Sequence, residues 1–75
     1  MSFTIEWDYP ARALFEDVPW PTSETVDAAV LRFARDHAPS LPSGPYRFCS
    51  AGYAIAVRSD RSAGTVLVLY VHRLR

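Results

Sequence analysis

Tyr46-Arg47-Phe48, Gly52-Tyr53-Ala54-Ile55-Ala56-Val57 and Val66-Leu67-Val68-Leu69-Tyr70-Val71-His72-Arg73 decide how this chain folds. β-Branched and aromatic residues dominate all three runs. Short polar or glycine-bearing links separate them, Ser50-Ala51-Gly52 first and Ser59 to Gly64 second. The runs therefore read as consecutive strands joined by tight connections. Val66 to Val71 is apolar on both faces, which marks a central strand. In a regular hairpin, Ile55 and Val57 share a face with Val66, Val68, Tyr70 and His72. Ala54, Ala56 and Arg58 then lie with Leu67, Leu69, Val71 and Arg73, and a slip of one residue in the connection exchanges the two sets.

Upstream, Phe3, Ile5 and Trp7 alternate with Ser2, Thr4 and Glu6, the period of a strand with one buried face. Asp8-Tyr9-Pro10 starts a helix, with Asp8 able to cap it and Pro10 tolerated in the first turn. Ala11, Leu14, Phe15 and Val18 fall on one side of that short helix, and Pro19 ends it. Trp20 in the stiff Pro19-Trp20-Pro21 connector is expected to pack between the two helices. Thr22 or Ser23 caps the second helix, where Val26, Ala29, Val30, Phe33 and His37 recur at helical spacing until Pro39. The order is β-α-α-β-β-β, an α+β domain spanning residues 1–75, with two helices (one short) packed on one face of an antiparallel sheet.

Composition narrows the function classes. Seventy-five residues make one domain, and a chain this short buries only about 60–65% of its unfolded surface. A hydrophobic fraction of 49% argues against disorder. A single cysteine excludes an internal disulfide and a cysteine-rich zinc site, and points to a reducing cytoplasm. No signal-peptide pattern and no apolar run of membrane-spanning length occurs, so neither export nor membrane association is expected. The formal charge is zero, and all eight basic residues are arginine, as the codons of a GC-rich genome favour. Residues 1–43 hold seven acids against three arginines, and residues 44–75 hold five arginines against Asp60. A basic end of this kind can attract phosphate or an acidic partner. It equally suits internal complementarity between acidic helices and a basic sheet.

Familiar catalytic sets are absent: no glycine-rich phosphate loop, no metal-ligand spacing, no nucleophile elbow. No metal and no cofactor is expected. Cys49 reads as a buried small apolar residue, and His37 as a structural partner on the apolar side of its helix. What remains is the basic, aromatic set of the C-terminal strands. Arg47, Arg58, Arg61, Arg73 and Arg75 can bind phosphate, while Tyr53, Tyr70 or His72 can stack on a base or move a proton. A metal-independent ribonuclease needs one group to deprotonate a 2′-hydroxyl, an arginine to stabilise the charged phosphorane and another group to protonate the leaving oxygen. Histidine, whose ordinary pKa is near neutral, suits the first or last role. On the residues alone, core tyrosines and arginines that solubilise the sheet edges are the better explanation.

The chain resembles the RelE/ParE superfamily of small bacterial toxins along nearly its whole length. Phe3-Thr4-Ile5-Glu6-Trp7 followed by Ala11-Arg12-Ala13-Leu14 is similar to the family's first strand and its A-x-x-x-L helix, and Glu24 to Ala38 to its second helix. Tyr46-Arg47 before Gly52-Tyr53, and the run Val66 to Arg73, resemble its C-terminal strands. The resemblance implies a type II toxin–antitoxin component, neutralised by a cognate antitoxin. It would inhibit translation by cleaving mRNA on the ribosome, with His72, Arg73 and Arg47 catalytic and Arg58, Arg61, Tyr53 and Arg75 holding RNA. The ParE-like branch implies instead a non-catalytic inhibitor of DNA gyrase, or an interaction module of the same fold. Ala54 stands where the family carries a strand arginine, and the lysines of cleaving members are missing.

Overall fold

β4 (Thr65–Arg73) lies inside a four-stranded sheet of order β1-β4-β3-β2, beside β1 (Thr4–Trp7) and β3 (Tyr53–Asp60), with β2 (Gly44–Ser50) at the far edge. The computed structural model describes residues 3–74. Two helices, α1 (Tyr9–Glu16) and α2 (Thr22–Arg32), connect β1 to β2. The expected α+β order and the single helical face are both present.

β2, β3 and β4 pair antiparallel as expected, but β1 pairs parallel with β4. The reason is the path of the helices. The Asp8 N–H donates to the Val68 carbonyl at 2.9 Å, the last link between β1 and β4. α1 then continues past the end of β1 beside β4, bringing Leu14 near His72 and Leu74. Only α2 returns: Ser43 beyond it accepts from the Arg61 N–H at the opposite end of the sheet. One return pass leaves β1, β2 and β4 pointing the same way.

The β3–β4 hairpin carries a bulge. Val57 pairs with Val68 and Ala56 with Tyr70, so Leu69 has no counterpart on β3. The regular register expected from the sequence therefore holds for Val66 and Val68 but not beyond. Val71 joins the core face with Ile55, Val57, Val66 and Val68, while Tyr70 and His72 turn to the opposite face beside Ala56 and Ala54. The core is this valine-rich face closed by Ala11, Val18, Val26, Val30 and Phe33. Phe33 stacks on Phe48 at 5.1 Å and meets Tyr46 at 5.8 Å.

Three local expectations are corrected. Neither Thr22 nor Ser23 caps α2; the Pro19 and Pro21 carbonyls accept the first-turn N–H groups instead. Trp20 does not pack between the helices but stands 74% exposed. His37 is exposed, because a wide π-helical turn over Phe33–His37 shifts the helical phase that would have carried it inward.

The links between strands use local chemistry. Ala51 (φ 53°) and Gly52 (φ 83°) form the two-residue β2–β3 turn, whose left-handed backbone matches the strand twist. In the β3–β4 turn the Asp60 carboxylate accepts from the Ser62 hydroxyl, the Ser62 N–H and the Ala63 N–H. These bonds, the Ser62 hydroxyl foremost, hold the Asp60 carboxyl below the usual aspartate range. Its contribution to stability is therefore complete at neutral pH and fades as the pH falls through that lowered value. Asp60→Asn keeps an acceptor oxygen but does not titrate. The stability difference between wild type and this variant, followed by thermal melts, should shrink steadily as the pH is lowered into the acid range.

Ser59 is the buried polar residue of the core face, 1% exposed, and its hydroxyl has no hydrogen-bond partner. An unpaired buried hydroxyl costs about 1–3 kcal/mol. Ser59→Ala should therefore raise the unfolding free energy by about 1 kcal/mol, read from the urea midpoint at unchanged slope; an equal loss would mean that the hydroxyl is paired.

Candidate functional site on the open sheet face

The sheet face away from the helices is built in rungs. Arg47, Ala56 and Tyr70 lie side by side across β2, β3 and β4, and Cys49, Ala54 and His72 form the next rung. Neighbouring rungs on one face are about 7 Å apart, so Tyr70 and His72 project side by side from the same strand. Ala54 and Ala56 leave the middle of the face low. The result is an open groove of about 700 Å³ lined by Arg47, Cys49, Ala54, Tyr70 and His72, with Leu14 and Leu74 on its rim.

Arg47 and Tyr70 touch: the guanidinium Nη1 donates to the Tyr70 hydroxyl at 3.4 Å, a long and therefore weak bond. That bond is the main influence holding Arg47 above the ordinary arginine range. The guanidinium stays fully protonated and is oriented over the groove. Its remaining N–H donors can receive an anion.

The residues singled out from the sequence divide between this face and others. Arg47 and His72 line the groove, and Arg58 follows one rung further, between Pro45 and Leu67. Arg73 pairs with Tyr53, whose side chain packs against the core, so both belong to the helical face. His72 and Arg73 thus project to opposite sides of one strand and do not act as a pair in the groove. Arg61 sits in the β3–β4 turn at the far end of the sheet. Arg75 lies outside the described residues.

Two groove residues are not where the sequence pattern puts them, and a third is sorted by the register. Cys49 was expected to be buried and is exposed, because its neighbour Phe48 takes the core side. Leu14 was placed on the buried side of α1, yet it is 45% exposed and faces the groove with Leu74. Tyr70, a candidate from the sequence together with Tyr53, reaches the groove because the bulge parts it from the face of Tyr53. No grouping of metal-ligating side chains occurs among the described residues, and no helix there is long and apolar enough to cross a membrane.

No sequence-family model and no curated protein matches the chain. Solved structures do. The isolated RelE toxin of E. coli superposes with a TM-score of 0.80 at 15% identity, over 99% of this chain and 86% of that one. The intact E. coli RelBE toxin–antitoxin complex gives 0.76 at 16% identity, over 99% of both chains. A RelBE toxin–antitoxin complex from Mycobacterium tuberculosis gives 0.68 at 24% identity, over 97% of this chain and 99% of that one. The fold is that of the RelE toxins, as the resemblance in the sequence implied.

The Cys49 placement is directly measurable. In native buffer its thiol should react with Ellman's reagent to completion, at a rate close to that of the denatured chain. A thiol that reacts only after denaturant is added would place Cys49 in the core and overturn the β2 phase that defines this groove.

Proposed function

We propose that this chain is the toxin-like component of a type II toxin–antitoxin pair and inhibits translation by cleaving mRNA on the ribosome. The observation that carries this reading is the convergence of Arg47, Tyr70 and His72 on one open groove of a RelE-toxin fold. In this mechanism the neutral His72 imidazole takes the proton of a 2′-hydroxyl. The 2′-oxygen bonds to phosphorus, and the bond to the 5′-oxygen breaks. Arg47 stabilises the charge gathered on the phosphorane, and the Tyr70 hydroxyl protonates the departing 5′-oxygen. A cyclic phosphate and a 5′-hydroxyl end result. Arg58, one rung away, holds a neighbouring phosphate. Arg73, Arg61 and Tyr53 lie outside the groove and take no part in the chemical step. The partner is a cognate antitoxin, as in the complexes solved for two of the structural neighbours.

A second reading has its own support. Ala54 on the groove floor and Leu14 and Leu74 on its rim suit an apolar side chain better than a phosphate. A non-catalytic protein binder, such as a gyrase inhibitor or an interaction module, would use the groove in that way.

Inducing the chain in a bacterial host while mapping mRNA 5′ ends and growth distinguishes the readings. Cleavage predicts growth arrest with new cuts inside translated codons. His72→Ala should lower cutting about 100-fold or more with an unchanged melting temperature. Arrest without cuts would move the assignment to a protein target. Soluble expression without arrest would sink both toxin readings.

A further inference from the structure

We infer that the cleft between α1 and α2 is a docking site for an arginine-bearing segment of a partner protein. This site is separate from the open-face groove and does not depend on the function proposed for it. The cleft encloses about 460 Å³ on the helical side of the molecule. Trp7, Phe15 and Val18 supply its apolar part, and Glu16 of α1 faces Glu24 and Asp27 of α2 across it. The Trp7 and Phe15 rings lie 4.8 Å apart between centroids, tilted by 45°, and both are only half-buried.

Charge selects the occupant. None of the three carboxylates makes an ion pair or a side-chain hydrogen bond among the described residues. Arg12 is the one cation lining the cleft, and it pairs with none of them there. Three negative charges less one positive leave a surplus of two in a concave, partly apolar site, where the field is focused. Nucleic acid and anionic lipid are repelled by that surplus. A guanidinium satisfies both halves of the cleft: its plane stacks on indole, and its fork of donors fits a carboxylate. An ammonium meets only the charge. Trp7, Phe15 and Val18, beside these carboxylates in the same cleft, take an apolar neighbour of that arginine. The occupant is therefore a peptide segment that alternates arginine with apolar residues.

A Trp20→Phe background leaves Trp7 as the single indole reporter. The probe is a short amidated peptide of alternating arginine and leucine, with a glutamate–leucine peptide as control. Saturable quenching or shift of Trp7 emission is expected with the basic peptide and not with the acidic one. Glu24→Gln with Asp27→Asn should weaken binding about tenfold, whereas Asp36→Asn, which removes a carboxylate outside the cleft, should leave it unchanged. All four substituted positions are exposed, and matched far-UV spectra and melts are the check that each variant folds. Equal weakening by Asp36→Asn would reveal nonspecific charge attraction and overturn the proposal. So would a Trp7 response that ignores both cleft substitutions, or no response at all.

Discussion

Leu69 is the residue that β4 carries beyond what β3 can pair, and the two faces of the sheet depend on it. Without the bulge, Tyr70 and His72 would continue the phase of Val66 and Val68 into the core, and Val71 would face water. Burying Val71 is worth about 1.5–3 kcal/mol. Leaving the Tyr70 hydroxyl or the His72 ring buried without partners would cost about 1–3 kcal/mol for each. Against these terms stands one interrupted ladder position, at about 1 kcal/mol. The irregular strand is therefore the stable one, and the same irregularity delivers a tyrosine and a histidine together to the open face.

The second consequence of the β4 environment lies at its other edge. β1 covers β4 only from Thr65 to Val68. Beyond that point α1 takes the edge position, so a helix rather than a strand borders the half of β4 that carries Tyr70 and His72. This is why Leu14 escapes the core and becomes a wall of the groove, while its neighbours Ala11 and Phe15 pack inward. The parallel pairing of β1 with β4 and the shape of the site have one origin, the direction in which α1 leaves the first strand.

Much of this was legible in the residues. Period-two alternation marked β1, residue composition the three C-terminal strands and helical spacing the two helices, Asp8 announced the start of α1, and the apolar run Val66 to Val71 identified β4 as an interior strand. The phase of that run past Leu69 was not legible, because a strand apolar on both faces offers no alternation to betray a bulge. The same weakness misplaced Cys49: beside Phe48 either face suits a small, soft side chain, and only pairing with Ala54 decides between them. His37 failed for a related reason, since periodicity assumes a constant turn and the wide turn at Phe33 breaks it. Site residues were thus recognised by type, and their sorting into faces required the tertiary register.

Charge follows the same logic. Along the chain the arginines gather toward the C-terminus, yet folding does not assemble them into one patch. Arg47 and Arg58 stay on the open face, Arg73 crosses to the helical side, and Arg61 is carried to the distal turn. Glu6 also lies on the open face, on the rung of Leu67 and Arg58, and tempers that end of the groove. The field left near His72 is therefore local and rests chiefly on Arg47, whose guanidinium is tied to Tyr70. A site with so little surrounding positive potential cannot hold a long polyanion by charge alone. Whatever occupies it must be presented by a larger surface or fixed by the apolar floor of Ala54 and Ala56. The acidic carboxylates of α1 and α2 face the other way, across the helical cleft. The neutral chain thereby keeps its Arg47-centred groove and its acidic cleft on opposite sides of the valine core.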